Sequence, residues 1–301
     1  MMPDFSNDNV CVDILKQDKH TRLEGICIEE FFKEKYLHNV DRRNLSSGWW
    51  FSKESSVSKD YYIIKFLTEI LLSEFDMFIF NHFINCNIKI FIVFMGRDGS
   101  YYTYYLKTLK GFNTEHLISN ASPYECTELK TIPAFVRDER RQNQAIEFLR
   151  EKGLIRKSAI ERFFANRVAG FKGLWDVDVF EWFDNRRIKA YEVKQKFPSA
   201  NGCFGINQGT TNFLLYLSKH HIAVEHVILK KPLDDKHIPA LDFVTKPNYV
   251  GLNEWLSTEF SVSSIQKMIA KKSPSYTSIH GRYQLTYFDM DMSKFTSKGF
   301  C

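Results

Sequence analysis

WDVDVFEWFDNRRIKAYEVKQK, residues 175–196, decides how this chain is read. Apolar and polar residues alternate with a period of two in both halves, and Asp184-Asn185 between them is turn chemistry, so the stretch predicts one β-hairpin. Side chains two apart on a strand share a face. Asp176, Asp178, Phe180 and Trp182 are therefore expected on one side, and Trp175, Val177, Val179 and Glu181 on the other. Glu192 and Lys194 lie together on the returning strand, and a turn near residue 185 brings them opposite the aspartates. Three carboxylates converging there would repel one another unless a divalent cation neutralised them, and hard oxygen donors suit Mg²⁺ better than zinc or copper.

Working outward, Lys196 leads into PSANGCFGINQG, a Pro/Gly/Asn-rich connection, and then into TTNFLLYLSKHH, where Phe213, Leu214 and Leu217 form a helical apolar stripe. HIAVEHVILKKP after it reads as a β-branched strand ended by Pro232. Two helices precede the hairpin, in RDERRQNQAIEFLREKG and KSAIERFFANRVAG, and each carries a glutamate, Glu147 and Glu161. Ile160, Phe163, Phe164 and Val168 give the second helix a 3.6-period stripe.

The hairpin, its aspartates, the Glu192-Val193-Lys194 triplet and the helix that follows resemble the PD-(D/E)xK nuclease superfamily over about residues 137–232. The resemblance implies an α/β fold, a mixed central sheet flanked by helices (a restriction-endonuclease-like core), with an additional N-terminal α/β region. It implies Asp178 or Asp176 as the family aspartate, with Glu192 and Lys194 as its partners. The family proline before the aspartate is missing, because Trp175 precedes Asp176 and Val177 precedes Asp178, so the choice stays open, with Asp178 preferred. By the same resemblance the Val193 carbonyl and the Asp178 and Glu192 carboxylates hold the metal, Glu161 is the preferred extra ligand, and Asp176 holds a second ion or a water. Lys194 acts on the attacking water and scissile phosphate, and Gln208 stands where several such families place a glutamine at the start of the next helix. The implied activity is Mg²⁺-dependent hydrolysis of DNA, with Mn²⁺ able to substitute, by a restriction-type or phage- and defence-related endonuclease. The alternatives are a junction or end nuclease of repair or recombination, and a non-catalytic nucleic-acid or partner-binding module that keeps the fold. The complete Asp, Glu and Lys set favours catalysis.

Basic residues cluster around this segment. Arg137, Arg140, Arg141, Arg150, Arg156, Lys157 and Arg162 precede the hairpin, and Lys196, Lys230 and Lys231 follow it. Arg140, Arg141, Arg156, Lys157 and Lys196 are the expected nucleic-acid contacts. The formal charge is only +5, so clustering and not net charge carries the expectation. DNA is the expected partner, RNA the alternative, and a second copy of the chain a further candidate.

At 301 residues and 44% hydrophobic, the chain is long enough for about two domains. Expected divisions are an N-terminal α/β region of unknown role over 1–132, the nuclease-like core over 133–232 and a C-terminal extension over 233–301, with the first boundary at TELKTIPAF. In the N-terminal region DYYIIKFLTEILLSEFDMFIFNHF reads as a helix, NIKIFIVFMG as a buried strand and SYYTYYLKTLKGF as another helix. Gly96–Ser100 then reads as a strand-to-helix turn that lacks the lysine of a phosphate-binding loop. In the extension, VSSIQKMIAKK suggests a short helix and GRYQLTYFDMDM a strand. Residues 77–96 are rich in Phe and Ile but are broken by Asn81, His82, Asn85, Asn87 and Lys89, which argues against a membrane span. The six cysteines form no C-x-x-C pair and fit a reducing intracellular setting, cytoplasmic or nucleoid-associated. His220, His221 and His226 would be split between faces by strand alternation, so no zinc cluster is expected.

Overall fold

The computed structural model of the chain describes residues 3–53, 60–125, 138–167, 172–184, 187–232, 238–250, 254–261, 270–272 and 286–298. Two compact units interleave in sequence: residues 1–23 with 41–179, and residues 24–40 with 180–301. The boundary expected around Pro133 lies outside the described residues.

The first unit holds α1 (Asp8–Lys16), the start of α2 (His20–Tyr36), β1 (Leu45–Ser46), β2 (Trp49–Lys53), β3 (Tyr61–Leu67), α3 (Glu74–Asn85), β4 (Ile90–Met95), β5 (Tyr101–Leu106), α4 (Thr114–Asn120), β6 (Ser122–Tyr124), α5 (Glu139–Glu151), α6 (Ile155–Arg167) and β7 (Lys172–Val177). Its sheet runs β6-β5-β4-β3-β2-β7, with β3 and β4 parallel and the other neighbours antiparallel. On one face Trp49 packs against Phe80 and Phe83 of α3, at ring separations of 5.3 and 6.3 Å. On the other, Phe164 of α6 meets Trp50, Phe66 and Tyr101 at 5.6, 5.0 and 5.0 Å.

β4, α5 and α6 form where the sequence predicts them, but two expectations fail. The stretch 60–83, read as one helix, is β3 followed by α3. Its first part is buried on both faces and so shows no alternation, leaving only its β-branched and aromatic character to mark it as a strand. Ser73 starts α3 with a capping box closed by Asp76. SYYTYYLKTLKGF, also read as a helix, contributes β5, antiparallel to β4. Gly96–Ser100 is therefore a strand-to-strand turn, closed by Gly96 N donating to Ser100 O at 2.8 Å with Gly99 at φ +79°.

The second unit takes α2 from Glu24 onward, then β8 (Val179–Phe183), β9 (Arg187–Lys196), β10 (Cys203–Asn207), α7 (Gln208–Lys219), β11 (Ala223–Lys230), α8 (Ala240–Thr245), α9 (Pro247–Val250), β12 (Glu254–Glu259), β13 (Ala270–Lys272), β14 (Thr286–Asp291) and β15 (Thr296–Ser297). Within it the main sheet runs β8-β9-β11-β12-β15, while β10, β14 and β13 form a small antiparallel sheet. β9 and β11 are parallel neighbours, which requires a crossover, and β10 with α7 supplies it. Phe32 of α2 covers one face, 5.5 Å from Tyr191 and 5.8 Å from Trp255. Residues 262–269 of the predicted C-terminal helix lie outside the described residues; β14 occupies the predicted strand from Thr286.

The larger sheet of each unit is thus mixed and flanked by helices, the α/β class expected. No helix among the described residues is long and apolar enough to cross a membrane.

Candidate functional site

β9 carries the Glu-x-Lys triplet into the interior of the second unit. Alternation along the strand sorts Tyr191 and Val193 to the α2 side and Glu192, Lys194 and Lys196 to the opposite one. Glu192 is buried, 4% exposed, whereas Lys194 and Lys196 are half-buried. Lys194 Nζ stands 3.0 Å from Glu192 Oε1, an ion pair that offsets part of the cost of burying the carboxylate. Lys196 Nζ donates to the Gly205 carbonyl of β10. Burial, with repulsion from Lys194, pulls the Lys196 ammonium down to about 8.

The parallel register places His226 of β11 beside Glu192, Ile228 beside Lys194 and Lys230 beside Lys196. His226 is 1% exposed, and its Nδ1 lies 3.0 Å from the Glu192 carbonyl oxygen. A carbonyl can only accept, so Nδ1 carries the proton. Phe260 and Phe295 flank the imidazole, each 6.4 Å away. Burial, reinforced by the charges of Lys196 and Lys194, lowers its pKa to about 3, so the ring stays neutral and braces the backbone at Glu192. Residue type alone offers His226 as a metal ligand; the strand register gives it this other role.

The aspartates are arranged differently from the single hairpin expected. The strand is interrupted at Asp178: β7 ends at Val177 and pairs with β2, while β8 begins at Val179 and neighbours β9. Trp175, Asp176 and Val177 therefore belong to the sheet of the first unit, with Asp176 opposite Trp50. The period of two continues through Asp178 in sequence, but the chain changes sheets there, so alternation across residues 175–183 does not describe one strand. Asp176 is exposed and Asp178 is buried, 5% exposed, with carboxylate oxygens of the two within 4.8 Å of each other. Asp178 leads directly into β8, the strand beside the one that carries Glu192.

The other predicted residues are spread more widely. Gln208 is the exposed first residue of α7, and the helix is capped instead by Asn207, whose side chain accepts from Thr210 N at 2.7 Å. Glu161 is half-buried on α6 and outside the group of carboxylates formed around Asp176 and Asp178. Arg140 and Arg156 are exposed, Arg141 and Lys157 half-buried, all on α5 and α6. The hairpin charges also sort themselves: Arg187 pairs with Asp184, and Lys189 lies 3.7 Å from Glu225, so neither partners Glu192 among the described contacts. Asn185 and Arg186 lie outside the described residues.

In chemical terms β9 offers a buried carboxylate, a backbone carbonyl at Val193 and an ammonium within 3.0 Å of that carboxylate. Such an all-oxygen donor set beside a cation fits a hard divalent ion and a phosphate oxygen. Compared with known proteins, the chain matches no family model, and no curated protein or solved structure is significantly similar to it.

Proposed function

We propose that this chain is a Mg²⁺-dependent phosphodiesterase that hydrolyses DNA, with Mn²⁺ able to substitute. The observation that carries the reading is Glu192 buried on an interior strand with Lys194 at 3.0 Å on the same face. A buried acid with a half-exposed lysine is a costly arrangement for a surface strand and a useful one at a polyanionic substrate. Glu192, Asp178 and the Val193 carbonyl would hold the ion, and Asp176 a second ion or a water. When bound, the ion would neutralise phosphate charge and lower the pKa of a coordinated water. Lys194 would orient that water and donate to the phosphate oxygen that gains charge. His226 would hold the backbone on which Glu192 and Val193 sit. The order of elements in the second unit, α2, β8, β9, β10, α7, β11, supports the same reading, because it has a helix before the strand pair and a helix before the parallel strand.

The reading places the protein in a restriction-type or defence-related setting in cytoplasm or nucleoid, with repair or recombination as the alternative, and a homodimer would suit cutting both strands of a duplex. The test is cleavage of linear, circular, single-stranded and branched DNA, with RNA in parallel, by purified protein in Mg²⁺. Cleavage that stops on adding EDTA and is lost in Glu192→Gln is the expected result. Unimpaired cleavage by the Glu192→Gln protein would refute the reading.

A further inference from the structure

We propose that a cleft in the second unit holds one unpaired DNA base, of a type that carries an exocyclic amino group, beside the phosphate on which Lys194 acts. The inference rests on the phosphodiesterase reading and narrows its substrate to DNA with a base out of the double helix next to the cleaved bond.

Sheet register places the cleft. Lys194 and Lys196 of β9 stand beside Ile228 and Lys230 of β11, and these stand beside Leu256 and Glu254 of β12. Leu256 in turn stands beside Ser297 of β15. Paired positions of a sheet project to one face. Lys194, Leu256 and Ser297 therefore share one row of that face, and Lys196, Lys230 and Glu254 share the next. The small sheet is tied to the same face, because Lys196 Nζ donates to the Gly205 carbonyl of β10, and Phe204 of β10 meets Phe295 edge-on at 5.3 Å. Where the end of the small sheet meets these rows there is a cleft of about 390 Å³, floored by Lys230, Glu254 and Leu256 and walled by Asp291, Met292 and Phe295. Small-molecule sites span about 300–1,000 Å³, so the space suits a ligand of that class. Lys230 is the diagonal neighbour of Lys194, about 7–8 Å away across the strand pair, a distance that a sugar can bridge between a phosphate and its base.

Chemistry selects the occupant. Leu256 and Phe295 are buried, 4% and 8% exposed, and with Met292 they give the cleft its apolar surface. Glu254 Oε2 accepts from Lys230 Nζ at 2.7 Å, and Asp291 Oδ1 accepts from Ser293 N at 2.8 Å. An ionised carboxylate has about four acceptor sites, so both keep some for a ligand that donates. Apolar surface edged by acceptors matches a flat molecule with N–H groups on its rim. Adenine, cytosine and guanine each carry an amino group, and thymine carries none. The two carboxylates disfavour an anion in this space, and the Lys230 ammonium disfavours a divalent cation. A base enters such a cleft only after leaving the stack, so an intact duplex does not fill it.

The experiment is fluorescence anisotropy of labelled oligodeoxycytidylate and oligothymidylate of equal length with the full chain in EDTA, where metal-dependent cleavage is silent. Cleavage of both strands in Mg²⁺ is followed separately. Oligodeoxycytidylate is expected to bind about tenfold more tightly than oligothymidylate. Ser297→Trp fills the cleft from its exposed rim, and Glu254→Ala removes acceptors; each should bring the affinity for oligodeoxycytidylate down to that for oligothymidylate, which changes little. Neither residue is buried, so folding, checked by circular dichroism, should survive. Base-selective binding without cleavage would strike the catalytic reading and leave the base site standing. Equal binding of both strands by the parent, a preference that survives in either variant, or an equal fall for both strands would overturn the proposal.

Discussion

Each unit contains a lysine paired with a buried carboxylate, and the two pairs are built to different ends. In the first unit Lys65 Nζ donates to Asp76 Oδ1 at 2.7 Å, Ser46 Oγ at 2.9 Å and the Ser47 carbonyl at 2.8 Å. That uses all three of its protons. Asp76 Oδ2 also accepts from the Ser73 backbone and hydroxyl, each at 2.9 Å, and the two side chains are only 6% and 7% exposed. Burial alone would raise the Asp76 pKa; Lys65 and the hydroxyl donors overrule it and hold it below the usual carboxylate range. In the second unit Glu192 is equally buried, its side chain 5% exposed, but the Lys194 side chain is 35% exposed and can turn toward an incoming anion. A sealed pair pins a helix start against a sheet, whereas a pair with one open member can exchange its partner for a substrate.

The strongest test of that contrast is stability. Asp76→Ala should cost about 3–5 kcal/mol, because it strands a buried ammonium. Glu192→Gln, which keeps shape and leaves Lys194 able to reach water, should cost about 1 kcal/mol or less. Urea midpoints of the two variants measure this directly, and equal losses would erase the distinction. In DNA cleavage the ranking should invert. Lys194→Ala is expected to lose about two orders of magnitude in single-turnover rate while the fold is kept, and buried Asp178→Asn should lose more than exposed Asp176→Asn. The reverse order of the aspartates would move the primary ligand onto β7.

The smallest effect concerns acid. His226 has its folded pKa depressed to about 3 while the unfolded value is about 6.5, so the unfolded chain takes up the proton first and the stability due to the neutral ring falls as pH drops below about 6.5. In the first unit Asp18 and Asp76 have lowered folded pKa values, so their contribution is retained until pH falls below about 3.8 and is lost only as it approaches the folded values. Burial opposes the ionised form of Asp18, and the charges of Arg162 and Arg22 outweigh it. Hydrogen exchange at pH 5 should therefore show weakened protection along β11 before α3, relative to pH 7.5. Parallel loss in both elements would mean that the units open as one.

What was legible in the sequence follows from local periodicity. The apolar stripes of α5, α6 and α7 and the placement of Glu192 and Lys194 on one face of β9 depend on spacings of 3.6 or two, which the chain displays wherever an element has one wet side, and β4 is legible as an unbroken apolar run. Tyr61–Leu67 and Tyr101–Leu106 do not announce themselves as strands because the first is buried on both faces and the second is mostly tyrosine, so neither displays alternation. Asp178 marks the other limit. Its neighbours keep an unbroken period of two, yet β7 and β8 belong to different sheets, and nothing within five residues encodes which strand each will hydrogen-bond. The grouping of residues 24–40 with residues 180–301 and the register that sets His226 beside Glu192 likewise join positions far apart in the chain. Residue type and spacing determined which chemical groups share a face of each element; only the pairing of distant strands, set by which apolar faces could be buried together, decided which faces meet.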